Sequence, residues 1–371
     1  MKVLVTGASG FVGQNLVLHL SERKEVIVVP FTRDNSYGEL PTLLCDVDFI
    51  FHFAGVNRPE DPSEFMIGNA DLTRELCNVI IASGRTIPVI YTSSIQASQN
   101  TPYGTSKRVA EDLLFDLQSR TGSPVHVFRL PNLFGKWCKP NYNSVVATFC
   151  YNLTHNLPVK INDPATLLNL VYIDDVINRF IQIMDGSGRA VDQDGFEILC
   201  PQYQTTLGEL ADQLRGFKDS RESLITRRVG AGLVRALYST YVSYLPPNSF
   251  SYRVPLYRDS RGVFVEMLKT PDCGQFSFFT AHPGITRGGH YHHSKTEKFL
   301  VIKGVACFKF RQMHTDERFE LVVNEGIPTI VETIPGWTHD VTNVGDGEMV
   351  VMLWANEIFD RAHPDTYACP L

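Results

Sequence analysis

No stretch of eighteen consecutive apolar residues occurs in the 371-residue chain, so no membrane-spanning helix is expected and no membrane partner. The apolar opening segment is interrupted at Thr6-Gly7 and again at Gly10, too early for a signal-peptide core, and the chain reads as unexported. None of the eight cysteines forms a Cys-x-x-Cys pair, which excludes a zinc ribbon and gives no sign of a disulfide framework. Reduced thiols in a cytoplasm fit that usage. There is no basic excess either: 34 Lys plus Arg stand against 40 Asp plus Glu, a net charge of −6. A nucleic acid or an anionic membrane is therefore not expected as the main partner, and a small molecule is. Internal repeats and low-complexity segments are missing. With 43% hydrophobic and 20% charged residues, a disordered, collagen-like or fibrous chain is excluded.

What is present divides in two, as about 150 residues per domain predicts for this length. β-like runs at 2–6, 26–31, 48–53, 87–93 and 125–130 alternate with segments of helical spacing such as 11–20 and 103–120. Buried strands separated by helices predict a doubly wound parallel sheet of α/β Rossmann type. Thr206-Leu-Gly-Glu209 reads as a capping box opening a helix. After Tyr238, Tyr241 and Tyr244 comes Pro246-Pro247, and the pattern changes to strand-length runs at 274–280, 298–302, 306–311, 318–323 and 348–354. The expected domains are 1–246, binding a dinucleotide, and 247–371, an all-β barrel or jelly roll.

Thr6-Gly-Ala-Ser-Gly-Phe-Val-Gly13 follows the first strand and opens the first helix, where free N–H groups and the helix dipole favour a pyrophosphate. Its spacing is Gly-x-x-Gly-x-x-Gly and not the Gly-x-Gly-x-x-Gly of ordinary dinucleotide folds. With His52-Phe-Ala-Gly55, Tyr91-Thr-Ser-Ser94, Tyr103-Gly-Thr-Ser-Lys107, Arg129-Leu-Pro-Asn132 and Tyr172-Ile-Asp-Asp-Val176, the chain resembles the extended short-chain dehydrogenase/reductase superfamily. The resemblance implies a catalytic triad of Ser94, Tyr103 and Lys107. It also implies cofactor contacts from Gly7, Gly10, Phe11, Val12, Gly13, Ala54, Gly55, Tyr103 and Lys107. At i and i+4 of one helix the lysine can lower the phenol pKa, normally about 10, so that the phenol hands a proton to a carbonyl oxygen held by Ser94. Arg33 at the end of the second strand favours the 2′-phosphate of NADPH, with Asp34 beside it as the competing signal.

Gly284-(x)5-His290-x-His292-(x)4-Glu297-(x)6-Gly304 matches the first cupin motif. Pro335-Gly336-(x)2-His339-(x)3-Asn343 follows the second, with its proline displaced. Alternation along a strand turns residues 290 and 292 the same way. His290, His292, Glu297 and His339 suit zinc or another divalent metal, while a metal-free substrate pocket is the alternative. His293 is expected on the opposite face, as a supporting or surface residue.

A reductase joined to a cupin, with Gly55-Val-Asn-Arg-Pro59, the run from Pro131 to Ser144 and Asp365-Thr-Tyr367, resembles the CapF family along nearly the whole chain. That resemblance implies a homodimeric, bifunctional enzyme of UDP-N-acetyl-L-fucosamine synthesis for capsule or O-antigen. Its cupin inverts C3 of a UDP-2-acetamido-2,6-dideoxy-4-hexulose, and its reductase reduces C4 with NADPH to UDP-2-acetamido-2,6-dideoxy-L-talose. The rival readings are a single-activity reductase or 4-epimerase with a cupin dimerisation or sensing module, and a cofactor-sensing regulator that has lost catalysis. Tyr291, His293, Lys295 and Asp340 remain equal candidates for the C3 base.

Overall fold

Five short apolar runs, β1 (Lys2–Thr6), β2 (Ile27–Phe31), β3 (Phe49–His52), β4 (Val89–Ser94) and β5 (Val125–Leu130), pair in parallel in the order β2-β1-β3-β4-β5. The computed structural model describes residues 1–255, 257–259, 262–264, 268, 274–357 and 362–371. Pro30 sits on β2, the sheet edge, where a missing N–H costs no ladder bond. The expected doubly wound sheet is thus present. Its order turns back between β1 and β3, the kind of switch point where parallel α/β sheets open a crevice.

Helices α1 (Phe11–Ser21), α2 (Leu40–Leu44), α3 (Leu72–Ser83) and α4 (Pro102–Thr121) connect these strands. Leu76 and Ile80 of α3 and Ala110, Leu114 and Leu117 of α4 share one core with Leu4, Ile50, Val89 and Val127 of the sheet. Helix α4 starts where the Thr101 hydroxyl accepts from the Gly104 N–H and Pro102 occupies the first turn, a position that needs no donor. Glu111 of α4 then accepts two bonds from Arg129, at 3.0 and 2.6 Å, and one from Ser93 at 2.5 Å, which ties the helix to β4 and β5. Two of the quoted motifs are absorbed by such internal pairing: Arg129 by Glu111, and Asp174 by His19 at 3.3 Å.

Two compact units result, Met1–Leu133 with Asn169–Tyr203, and Phe134–Leu168 with Gln204–Leu371. The chain passes between them within β6 (Asn132–Phe134), β7 (Leu167–Tyr172) and β8 (Tyr203–Thr206), and α6 (Ile173–Met184) belongs to the first. The second contains α5 (Val145–Thr154), α7 (Leu207–Ser223) and α8 (Gly232–Ser243) as well as the β-rich region. Pro246-Pro247 falls inside this unit, just after α8. Helix α7 opens with the predicted box: the Thr206 hydroxyl accepts from Glu209 N–H at 3.2 Å, and the Glu209 carboxylate accepts from Thr206 N–H at 2.9 Å.

Beyond α8 the strands are β9 (Ser251–Arg253), β10 (Tyr257–Asp259), β11 (Gly262–Phe264), β12 (Gln275–Ala281), β13 (Thr286–Tyr291) and β14 (Glu297–Lys303). They continue as β15 (Val305–Gln312), β16 (Arg318–Asn324), β17 (Thr329–Glu332), β18 (Trp337–Asn343), β19 (Met349–Ala355) and β20 (Tyr367–Ala368). Apart from the β10-β11 hairpin they form two antiparallel five-stranded sheets, β12-β19-β14-β17-β9 and β16-β15-β18-β13-β20. No ladder among the described residues joins the two into a closed barrel, so the expected barrel is observed as two sheets. Phe299 of one sheet meets Phe308 and His339 of the other at ring distances of 5.6 and 6.3 Å, which marks the space between them. On the other face of β14, buried Lys298 and Arg221 of α7 both donate to Glu332 of β17.

Candidate functional site

In the first unit the glycine turn lies over the switch point. Gly7 has φ +67, a conformation L side chains avoid, and a Cβ there would come within 2.7 Å of the Ala54 backbone nitrogen. A Cβ on Gly13 would stand 2.2 Å from the Gly7 carbonyl oxygen, so this helix start admits glycine alone. Gly10 caps α1, with Phe11, Val12 and Gly13 in its first turn, and no acidic residue there offsets the helix dipole. Gly55 follows Ala54 on the loop after β3. Arg33 is exposed just past β2, and Asp34 engages Thr32 rather than Arg33.

Ser94 ends β4, where its hydroxyl accepts from the Gln96 N–H at 3.2 Å. Tyr103 and Lys107 stand one turn apart on α4, and the Tyr103 ring lies 5.6 Å from that of Phe65. The buried Lys107 ammonium donates to the Tyr91 hydroxyl at 3.2 Å and to the Thr92 carbonyl at 3.0 Å. Burial brings its pKa down to about 8, against a small upward pull from Glu111. Behind it His52 bonds the hydroxyls of Thr6 at 2.7 Å and Thr73 at 2.8 Å, and stacks on Tyr91. Burial and the Lys107 charge drop that imidazole to about 3, so it stays neutral.

Sequence reasoning missed Tyr91 as a partner of Lys107, because an apolar strand hides which of its residues reach the next helix. It also missed Asn69. That side chain accepts from Val56 N–H at 2.9 Å and donates to Val56 C=O at 3.1 Å and Ser106 Oγ at 3.0 Å, fixing the loop after Gly55 against α4. Asn69 lies in a π-helical turn, Met66–Asp71, that no spacing rule signals.

In the second unit His290, His292, Glu297 and His339 converge, one ligand atom from each lying within 4.8 Å of all the others. The strand pairing explains this: His290 faces His339 across β13 and β18, and Glu297 begins β14 on the opposing sheet. His292 Nε2 is 3.1 Å and His339 Nε2 is 3.4 Å from Glu297 Oε2. Burial, with His339 and His292 alongside, lowers His290 to about 3. Glu297 is also buried, which would raise its carboxyl, but His292, His339 and Lys295 outweigh that and hold it well below the usual range.

The donor set fits a cation. His292 Nδ1 lies 2.5 Å from the Asp365 carbonyl oxygen, which can only accept, so Nδ1 carries the proton. With Nδ1 committed to that carbonyl, Nε2 is the ring atom that faces the Glu297 carboxylate, at 3.1 Å. The buried His339 ring turns its Nε2 toward the same Glu297 oxygen without a well-aligned hydrogen bond, and its Nδ1 is likewise unbonded. Three imidazoles and a carboxylate gathered this closely are the donor types that a borderline divalent cation takes.

The four candidates for the base separate. Lys295 Nζ lies 3.3 Å from Glu297 Oε1, inside the cluster. Tyr291 stacks on Tyr367 at 5.5 Å, and His293 meets the same ring at 5.0 Å, on the side away from His290 and His292. His293 is buried there and not at the surface. Asp340 pairs with Lys309 across the ladder and faces away from its neighbour His339.

Comparison with known proteins covers the whole chain. Residues 3–196 match the model of the NAD dependent epimerase/dehydratase family, and residues 257–367 match the polysaccharide biosynthesis C-terminal domain. The chain is 62% identical over 370 residues to UDP-2-acetamido-2,6-beta-L-arabino-hexul-4-ose reductase of Pseudomonas aeruginosa, covering 100% of this chain and 98% of that protein. UDP-glucuronic acid decarboxylase 6 of Arabidopsis thaliana is 24% identical over 58% of this chain and 74% of its own length. Among solved structures, the capsular polysaccharide assembling protein CapF from Staphylococcus aureus superimposes with a TM-score of 0.69 and 40% identity, covering 100% of both chains.

Proposed function

This chain belongs to the NAD dependent epimerase/dehydratase family, within the CapF family of nucleotide-sugar enzymes, and on that premise we propose that it is a UDP-sugar 4-reductase. Its substrate is a UDP-2-acetamido-2,6-dideoxy-hexos-4-ulose, a reading supported by the 2-acetamido-hexul-4-ose in the name of the 62% identical relative. The observation that carries this reading is the buried Lys107, whose ammonium rests on neutral oxygens one helical turn from Tyr103. Bound at the glycine turn, NADPH supplies a hydride. The protein does the rest: Ser94 holds the C4 oxygen, Tyr103 donates a proton to it, and the Lys107 charge keeps the phenol acidic enough to do so. Arg33 receives the 2′-phosphate.

The cluster of His290, His292, Glu297 and His339 favours a second activity in the β-rich, cupin-like region. Zinc held by these four would polarise a carbonyl oxygen as a Lewis acid. A C4 ketone acidifies the neighbouring C3–H, so C3 inversion has to precede reduction, which removes that ketone. On this reading a homodimeric enzyme inverts C3, reduces C4 to UDP-2-acetamido-2,6-dideoxy-L-talose, and serves UDP-N-acetyl-L-fucosamine synthesis.

Incubation with the 4-keto sugar nucleotide in deuterated water, with and without NADPH, tests both parts. NADPH consumed mole for mole with product supports the reductase, whereas cofactor recycling without net oxidation would indicate a 4-epimerase. Deuterium should enter C3 in the Tyr103→Phe protein and not in His290→Ala. Exchange at the wild-type rate in His290→Ala would leave the region as a dimerisation or sensing module.

A further inference from the structure

The ligand His292 lies in the bend between β13 and β14, where its carbonyl accepts from the Gly336 N–H at 3.0 Å. Three consecutive N–H groups of that bend converge on one side chain. His293 N donates to Asp365 Oδ1 at 2.8 Å, and Ser294 N and Lys295 N donate to Oδ2 at 2.8 and 2.7 Å, with the Ser294 hydroxyl adding a fourth bond at 3.0 Å. The same residue receives the His292 Nδ1 proton on its backbone carbonyl at 2.5 Å. Thr366 Oγ1 accepts from Lys295 Nζ at 3.1 Å. Residues 367 and 368 then pair with Tyr291 and His290, and Cys369 N–H donates to Gly289 C=O at 2.7 Å.

We infer that Asp365 is a positioning residue of the histidine–glutamate cluster: its carboxylate shapes the 292–295 bend while its carbonyl orients the His292 ring. The inference rests on the metal reading of that cluster. Successive amides aimed at one point form a concavity that an anion fills, and a carboxylate supplies enough lone pairs for all four donors. With the bend fixed, His292 keeps its Nδ1 on the Asp365 carbonyl and its Nε2 toward Glu297, and Lys295 is held beside Glu297 Oε1. Asp365 touches neither the cluster's ligand atoms nor the space between them, so it acts through His292 and Lys295.

The test is metal affinity of the full chain, by competition between apo protein and a chelator for zinc, together with the visible spectrum of the cobalt(II) form. Asp365→Asn is nearly isosteric but turns one acceptor into an NH2 donor facing amide donors. Zinc affinity should fall about 10- to 100-fold, the usual cost of losing an outer partner of a metal ligand, with an altered cobalt spectrum. NADPH binding and the far-ultraviolet circular dichroism should stay as in the wild type. Asp365→Ala, which removes the acceptor without adding a donor, gives a second measure, and either variant that folds suffices. Wild-type zinc affinity and an unchanged cobalt spectrum in a folded variant would overturn the role of Asp365 alone. A wild-type protein that takes up neither zinc nor cobalt would overturn the metal reading and this inference with it.

Discussion

Lys107 in the first unit and Lys298 in the second are both sealed from water, at 5% and 2% exposure, yet their ammonium groups shift in opposite directions. Burial disfavours the charge in each. Around Lys107 the bonded atoms are the neutral oxygens of Tyr91 and Thr92, and burial prevails, taking the pKa to about 8. Around Lys298 burial is outweighed by the Glu332 carboxylate, which holds the ammonium well above its ordinary value. A buried lysine with a carboxylate partner is a fastening: it ties β14 to β17, and Arg221 of α7 joins on the same carboxylate. One without such a partner is ready to lose or lend its charge at working pH, which suits it to chemistry.

The largest effect that could break this contrast is on turnover. Tyr103→Phe should lower the rate of NADPH oxidation with the keto sugar by about 10²–10⁴-fold. Lys107→Met should cost a comparable factor while raising the melting temperature, since it removes a buried charge whose burial outweighs the distant pull of Glu111 and that bonds only neutral oxygens. A Lys107→Met protein that melts well below wild type would make the two lysines alike. Next comes stability: Glu332→Gln leaves Arg221 and Lys298 buried without their anion and should destabilise the chain by about 3–5 kcal/mol in a denaturant titration. A loss under 1 kcal/mol would remove the fastening role.

The pH dependence follows from the sign of the Lys107 shift. Its folded pKa of about 8 lies below the ordinary lysine value of 10.5, so the native state gives up this proton first as pH rises. Its destabilising contribution is fully present below about 8 and is relieved as pH climbs toward 10.5. In the proposed mechanism reduction needs the charged form, so its rate should fall up to about tenfold per pH unit above that folded value. Tyr91→Phe deletes one hydrogen bond to the ammonium and should move this limb to lower pH; an unmoved limb would show that Tyr91 has no part in it. The smallest effect is on cofactor choice, where Arg33→Asp should shift preference from NADPH toward NADH by about tenfold in kcat/KM. Comparable efficiencies with the two cofactors in wild type would sink the role given to Arg33.

The two candidate sites differ in how much of them a reader of the sequence can see. The glycine turn is local: Gly7, Gly10 and Gly13 are needed by backbone geometry within one strand-to-helix connection, so their spacing is their structure. Tyr103 and Lys107 share a helical period for the same reason. The histidine–glutamate cluster is spread over β13, β14, β18 and the bend between the first two, yet each of its four residues sits at a fixed place near a strand end and the motif survives in sequence. What surrounds the ligands did not survive. Asp365 lies 73 residues from His292, and Lys298 lies 34 from Glu332, with no period linking them.

From sequence alone came the parallel sheet, the glycine turn, the α4 pair and the strand runs after Pro247, set by periods of 2.0 and 3.6 or by local backbone demands, and the four residues that could share a metal, which came from the resemblance to the cupin motifs. Tertiary structure alone decided which candidates near the cluster reach it, because only packing tells Lys295 from Tyr291, His293 and Asp340. It also decided that Arg129 and Asp174 serve internal pairs, and that α5, α7 and α8 share a unit with the two sheets. Partner choice for a buried polar group depends on what lies opposite in space. That is fixed when the elements pack, and adjacent residues do not encode it.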